Sequence, residues 1–152
     1  MPTVIAFDFG TKRIGVAVGE TELRIPHPLP AIHGERNEAR FAAIAALLEQ
    51  WQPALCVVGL PLAVDGSEHE MTQRARRFAQ RLQGRFGVKI GLVDERYTSA
   101  SASIDLKSAG ANERETERSI DAVAACEILA AWFDSVHVND AGQLGKNDNS
   151  PA

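Results

Sequence analysis

Two apolar runs at the start of the chain, Val4–Phe9 and Ile14–Val18, are separated only by Gly10-Thr-Lys-Arg13. No other feature constrains the fold as much. Runs of this length rich in Val, Ile and Phe read as strands, and a short glycine-containing link makes them an antiparallel hairpin. Asp8 falls inside the first run. A carboxylate among Val, Ile, Ala and Phe is costly to keep ionised unless a positive group meets it. The strand–turn–strand therefore presents Asp8 beside a phosphate or a divalent cation, with Thr11, Lys12 and backbone amides close by. The plainer alternative is an acid at a sheet edge that caps its own turn.

Beyond the hairpin, residues 23–33 carry three prolines, which confines any strand there to an irregular or edge position. Phe41, Ile44, Ala45, Leu48 and Trp51 recur at helical spacing from Glu38 to Trp51, and Gln52-Pro53 stops that helix. Leu55–Leu60 reads as a strand. Ser67 and Glu70 form a capping box for a helix ending near Gly84 or Arg85. A further strand spans Val88–Val93. Thr98 or Ser99 caps a helix through Lys107, with Gly110 just past its end, and a last helix runs from about Glu115 to Phe133. Alternating strands and helices imply parallel strands joined by right-handed crossovers. The expected α/β fold is a mixed five-stranded sheet, an antiparallel meander followed by parallel strands, with helices on both faces.

A chain of 152 residues suits one domain, expected over residues 1–138, with a polar, disordered tail over 139–152. A domain of that size buries about 70% of the surface its unfolded chain exposes. No signal peptide is expected, and no apolar run approaches the ~20 residues of a membrane span. A cytoplasmic protein is expected, with Cys56 and Cys126 as small buried hydrophobes. The four histidines lack ligand spacing, which argues against zinc. A net charge of −4 weighs against a general nucleic-acid coat protein, yet a local basic face can still steer a polyanion.

Three acids stand where an apolar element ends or turns polar: Asp8, Glu95 after the Val88–Val93 strand, and Asp121 in the last helix. Carboxylates converging from separate elements suit Mg²⁺ or Mn²⁺, which prefer oxygen ligands. Two such ions about 4 Å apart activate a water and stabilise the leaving oxygen in phosphodiester hydrolysis. Taken singly, Glu95 can instead pair with Arg96 or Arg13, and Asp121 can be solvated. On the helix after Ser67, Met71, Ala75, Phe78, Ala79 and Leu82 make the core stripe. Arg74, Arg77, Arg81 and Arg85 recur on an adjoining face, which is either a phosphate-binding surface or an ordinary solvated one. The Gly59–Gly66 loop lies at a strand's C-terminal end, where ligands of open α/β sheets bind.

These motifs resemble one family: Ala6-Phe-Asp-Phe-Gly-Thr-Lys-Arg-Ile-Gly-Val-Ala17, Val58-Gly-Leu-Pro-Leu with Asp65-Gly-Ser67, Arg76-Arg-Phe-Ala79, Asp94-Glu-Arg96 with Thr98, and Ile120-Asp-Ala-Val-Ala-Ala125. Spread in order over nearly the whole chain, they are similar to the YqgF/RuvX-type nucleases, also described as Holliday-junction resolvases. The resemblance implies an RNase H-like fold and a divalent-metal nuclease that matures the 5′ end of precursor 16S ribosomal RNA. It makes Asp8, Glu95 and Asp121 the metal-binding and catalytic acids. From their positions beside these acids, and not from the resemblance, Lys12, Arg13 and Arg96 are expected as auxiliary phosphate contacts. The chain departs from the family where lysines often precede the final acid: Glu113-Arg-Glu-Thr-Glu-Arg-Ser-Ile120 offers only Arg114 and Arg118. No obvious fourth acid is present. Structured RNA is the expected substrate and branched DNA the variant. The competing classes are a non-catalytic RNA-binding assembly factor and an actin–hexokinase-type phosphotransferase, which needs two lobes where this chain supplies one.

Overall fold

The computed structural model describes residues 2–97 and 123–136. Its five strands are β1 (Thr3–Asp8), β2 (Arg13–Glu20), β3 (His27–His33), β4 (Leu55–Leu60) and β5 (Ile90–Asp94). They form one sheet in the order β3-β2-β1-β4-β5. β1 pairs antiparallel with β2 and β2 antiparallel with β3, whereas β1–β4 and β4–β5 are parallel. The proline-bearing β3 lies at the edge, where the missing amide donors are tolerated, and its pairing with β2 slips between Ile14 and Val16.

Side chains alternate across β1. Ile5 and Phe7 enter one core, Val4 and Ala6 the other. The first core is covered by helices α1 (Asn37–Trp51) and α2 (Glu70–Phe86), through Phe41, Ile44, Ala75, Phe78, Ala79 and Leu82. Phe78 packs edge-on to Phe7, with ring centroids 5.8 Å apart, and lies 5.0 Å from Phe9. The opposite core is covered by helix α3 (residues 123–136), through Ala125, Ile128, Leu129 and Phe133. Helices therefore lie on both faces of a mixed five-stranded sheet, the expected architecture.

Four local expectations change. Ser67 does not cap α2, because the preceding loop uses it: its N–H donates to Asp65 Oδ1 (2.9 Å) and its carbonyl accepts from Ala63 N–H (3.0 Å). The cap is His69, whose Nδ1 accepts from Met71 N–H (3.3 Å), while Thr72 Oγ1 accepts from His69 N–H (3.2 Å). Thr72 is fully buried and also donates its hydroxyl proton to the Pro61 carbonyl, so it takes the core position expected of Met71, which is only half-buried. In α1, Ala45 is exposed and Arg40 is buried in the inward stripe. β5 begins at Ile90, because the chain leaves α2 through a left-handed cap at Gly87 (φ 67°). The helix expected from Thr98 to Lys107 and the tail over 139–152 lie outside the described residues.

Candidate active site

Asp8 is the last residue of β1 and shares the parity of Val4 and Ala6, which places it on the α3 face. The β1–β4 register, continued by one residue, sets it level with Gly59. Glu95 comes from the other side. It opens a 3-10 turn (Glu95–Tyr97) immediately after β5. The missing side chain at Gly59 makes room for it: a Cβ there would stand 2.7 Å from Glu95 Oε2 and 2.6 Å from Ile128 Cδ1. At both distances a side chain would have to shift, so the glycine in β4 leaves the Glu95 carboxylate free to lie where it does, across the strand end beside Asp8.

The electrostatics reflect that position. Burial pushes the Glu95 carboxyl up to about 7, and the nearby charges of Asp8 and Asp94 add to the rise. Asp94 is held below the usual carboxylate range by Arg96. The Arg96 guanidinium forks onto it, Nη2 donating to Oδ2 (2.6 Å) and Nε to Oδ1 and Oδ2 (3.1 and 2.9 Å). Its Nη1 also donates to the Val64 carbonyl (3.2 Å), tying the end of β5 to the loop after β4. Arg96 thus braces the turn that carries Glu95.

Helix α3 fixes the third side. Phe133 meets Gly19, which pairs with Val4 near the start of β1, whereas Ile128 meets Gly59 at the end level with Asp8. α3 therefore runs antiparallel to β1, with its first described turn at the Asp8–Glu95 end. Asp121 is two positions ahead of the first described residue of α3 and lies outside the described residues. Among those residues no cluster of three His, Cys, Asp or Glu is close enough to hold a metal ion. The structure brings together Asp8 and Glu95.

The expected phosphate contacts fall in different places. Lys12 is exposed on the Gly10–Arg13 turn, and Arg13 is half-buried at the start of β2. The turn is tight enough that a Cβ on Gly10 would stand 2.5 Å from the Arg13 carbonyl oxygen. Arg74, Arg77 and Arg81 lie on α2, across the sheet from Asp8, and line a groove of about 500 Å³ with Phe9, Thr11 and Arg40. Arg74 pairs with Glu70 at 2.8 Å. Arg85 leaves this set and stacks over Phe41, 4.6 Å from the ring centroid. Sequence reasoning missed Gly59 and Arg40. Arg40 had a signal: it is one turn ahead of Ile44 and so belongs to the inward stripe.

A five-stranded sheet in this order, with helices on both faces, defines a protein of the RNase H-like fold class. Solved structures share the fold. Fowlpox virus Holliday junction resolvase matches with a TM-score of 0.55 at 12% identity, covering 88% of this chain and 99% of that one. Thermus thermophilus RuvC, solved in complex with a Holliday junction substrate, matches with a TM-score of 0.51 at 14% identity, covering 90% and 96%. The chain belongs to the RuvX family, whose model, described as "RuvX: Holliday junction resolvase", matches residues 2–135. Relatives named "Putative pre-16S rRNA nuclease" include those of Chromobacterium violaceum and Methylobacillus flagellatus. The first is 56% identical over 131 residues, 86% of this chain and 96% of the relative. The second is 53% identical over 133 residues, 88% and 91%.

Proposed function

We propose that this protein is a divalent-metal-dependent nuclease that hydrolyses phosphodiester bonds, acting on the 5′ end of precursor 16S ribosomal RNA. The observation that carries the reading is the Glu95 carboxylate, seated over Gly59 beside Asp8 with its affinity for a proton raised to about 7. Folding has brought two carboxylates, one at the end of β1 and one just after β5, into a partly dehydrated place, an arrangement that costs stability without a cation between them. Their donor set is hard oxygen, which fits Mg²⁺ or Mn²⁺. Asp8 and Glu95 would hold the ion, with Asp121 as the proposed third acid, two positions ahead of the described part of α3. When bound, such an ion supplies the charge that activates a water and stabilises the departing oxygen.

The chain's own residues set the geometry. Gly59 clears the space for Glu95, Arg96 and Asp94 fix the turn beneath it, and Gly10 closes the hairpin that carries Lys12 and Arg13 toward a substrate phosphate. The family's names support the substrate class, RNA in the curated relatives and branched DNA in the family model. A cytoplasmic location accords with two unpaired cysteines, Cys56 being buried with its thiol pushed up to about 12. Among the described residues no helix is long and apolar enough to cross a membrane.

The test is a cleavage panel of precursor 16S RNA, single strands and four-way DNA junctions with Mg²⁺ or Mn²⁺. Asp8→Asn should abolish metal-dependent cleavage of the RNA while leaving its binding intact. Equal trace cleavage by wild type and variant would assign the activity to a contaminant and sink the enzyme reading. Preferential cleavage of the junction would move the substrate to branched DNA.

A further inference from the structure

The groove on the α1–α2 side of the sheet has no part in holding the acid pair. Its walls are Arg74, Arg77 and Arg81 of α2 against the Glu35–Asn37 segment, with Phe9 and Thr11 at the end of β1. Its floor is Arg40. Arg40 is only 4% exposed, and its guanidinium donates to the Gly10 and Thr11 carbonyls and sits 5.0 Å above the Phe9 ring. Its Nε is buried with no hydrogen-bond partner among the described residues. Four arginines face two glutamates, Glu35 and Glu70, so the groove is net positive on a chain of net charge −4. A positive charge fixed under a poorly hydrated floor attracts an anion more strongly than the same charge in open water.

The shape narrows the ligand. Arg74, Arg77 and Arg81 span eight residues of helix, a line of about 10 Å, longer than one phosphate group. The groove is open, and through Thr11 it runs out onto the Gly10–Arg13 turn, where Lys12 is exposed. That turn is the rim between the two faces, with Asp8 just across it. Such a track suits consecutive phosphates of one strand better than a single enclosed anion.

We propose that this groove is a phosphodiester-backbone site, separate from the acid pair and on the other face of the sheet. Arg77 and Arg81 grip the strand above the floor set by Arg40, before it crosses the Gly10–Arg13 turn to the acids. The substrate is then a strand long enough to occupy both faces. This rests on the nucleic-acid reading above, but its test is independent of cleavage.

Binding of a fluorescein-labelled 12-nucleotide single-stranded RNA is measured by anisotropy over a range of KCl concentrations. The full chain carries Asp8→Asn and no divalent metal is added. Arg77→Gln with Arg81→Gln should weaken binding about tenfold and reduce the slope of log K against log salt by about 1.4, two single-strand phosphate contacts. Both arginines are exposed on α2, and a circular dichroism melt identifies any loss of fold. An unchanged slope and affinity in a folded variant overturns the proposal. So does displacement of the RNA by millimolar inorganic phosphate, which would make the groove a small-anion site. If wild type fails to cleave any substrate with metal while the salt slope still falls, the nuclease reading fails and the groove stands.

Discussion

Glu95→Gln should make the metal-free protein more stable above neutral pH. A carboxyl whose pKa rises on folding keeps its proton in the native state over a window where the unfolded chain has lost it. Here that window runs from 4.5 to about 7. Native protein binds more protons across it, so stability falls as pH rises through the window and stays low above it. At about 1.4 kcal/mol per pH unit, the ceiling on the cost is about 3 kcal/mol. Glu95 is only partly buried, and solvent screening brings the expected cost to about 1–2 kcal/mol. Glutamine keeps the shape and removes the charge. At pH 8 without metal, Glu95→Gln should melt about 3–6 °C above wild type, and at pH 5 the difference should nearly vanish. Millimolar Mg²⁺ or Mn²⁺ should raise the wild-type melting temperature and leave the variant unmoved. Thermal melts at the two pH values, with and without metal, decide the matter. A variant that is no more stable at pH 8, or gains equally at both pH values, refutes the raised proton affinity of Glu95, to which burial contributes most and Asp8 and Asp94 add.

Two further outcomes follow from the packing. Gly59→Ala should push the Glu95 carboxylate aside and lower cleavage about 100-fold, the cost of misplacing a reacting group by about an ångström, and should also lower the melting temperature because the new methyl meets the buried Ile128; unimpaired turnover would show that the acid is not used where it lies. Thr72→Val should destabilise the fold by about 1–3 kcal/mol in urea titration, because the Pro61 carbonyl loses its donor and His69 N–H its acceptor, whereas a loss under 0.5 kcal/mol would mean water replaces both.

The strands were legible because their apolar runs are continuous and their breaks chemically sharp: the limits of β4 matched its reading, and the prolines of β3 foretold an edge. Helix starts were less legible. Asp65-Gly-Ser67 offers more donors and acceptors than one cap needs, and only the folded loop decides that Ser67 closes the turn while His69 caps the helix. The acid pair was visible as residue types at element ends. What brings Glu95 to Asp8 was not, because a glycine within an apolar strand carries no mark of the side chain that will cross it. Arg40 was hidden for the opposite reason. A charged residue is read as solvent-facing by default, and its partners are backbone carbonyls some 30 residues away in the chain.

Helix α3 rests on the sheet at Gly19, Gly59 and Gly91, where added Cβ atoms would meet Phe133, Ile128 and Trp132. Its depth is thus dictated at several points along its length, like a beam on level footings. Raising one footing tilts the whole beam, so Gly91→Ala, near the start of β5, would carry its effect to the helix's leading end. Screens for inactivating variants should therefore yield hits beneath Trp132, at a residue with no chemistry of its own.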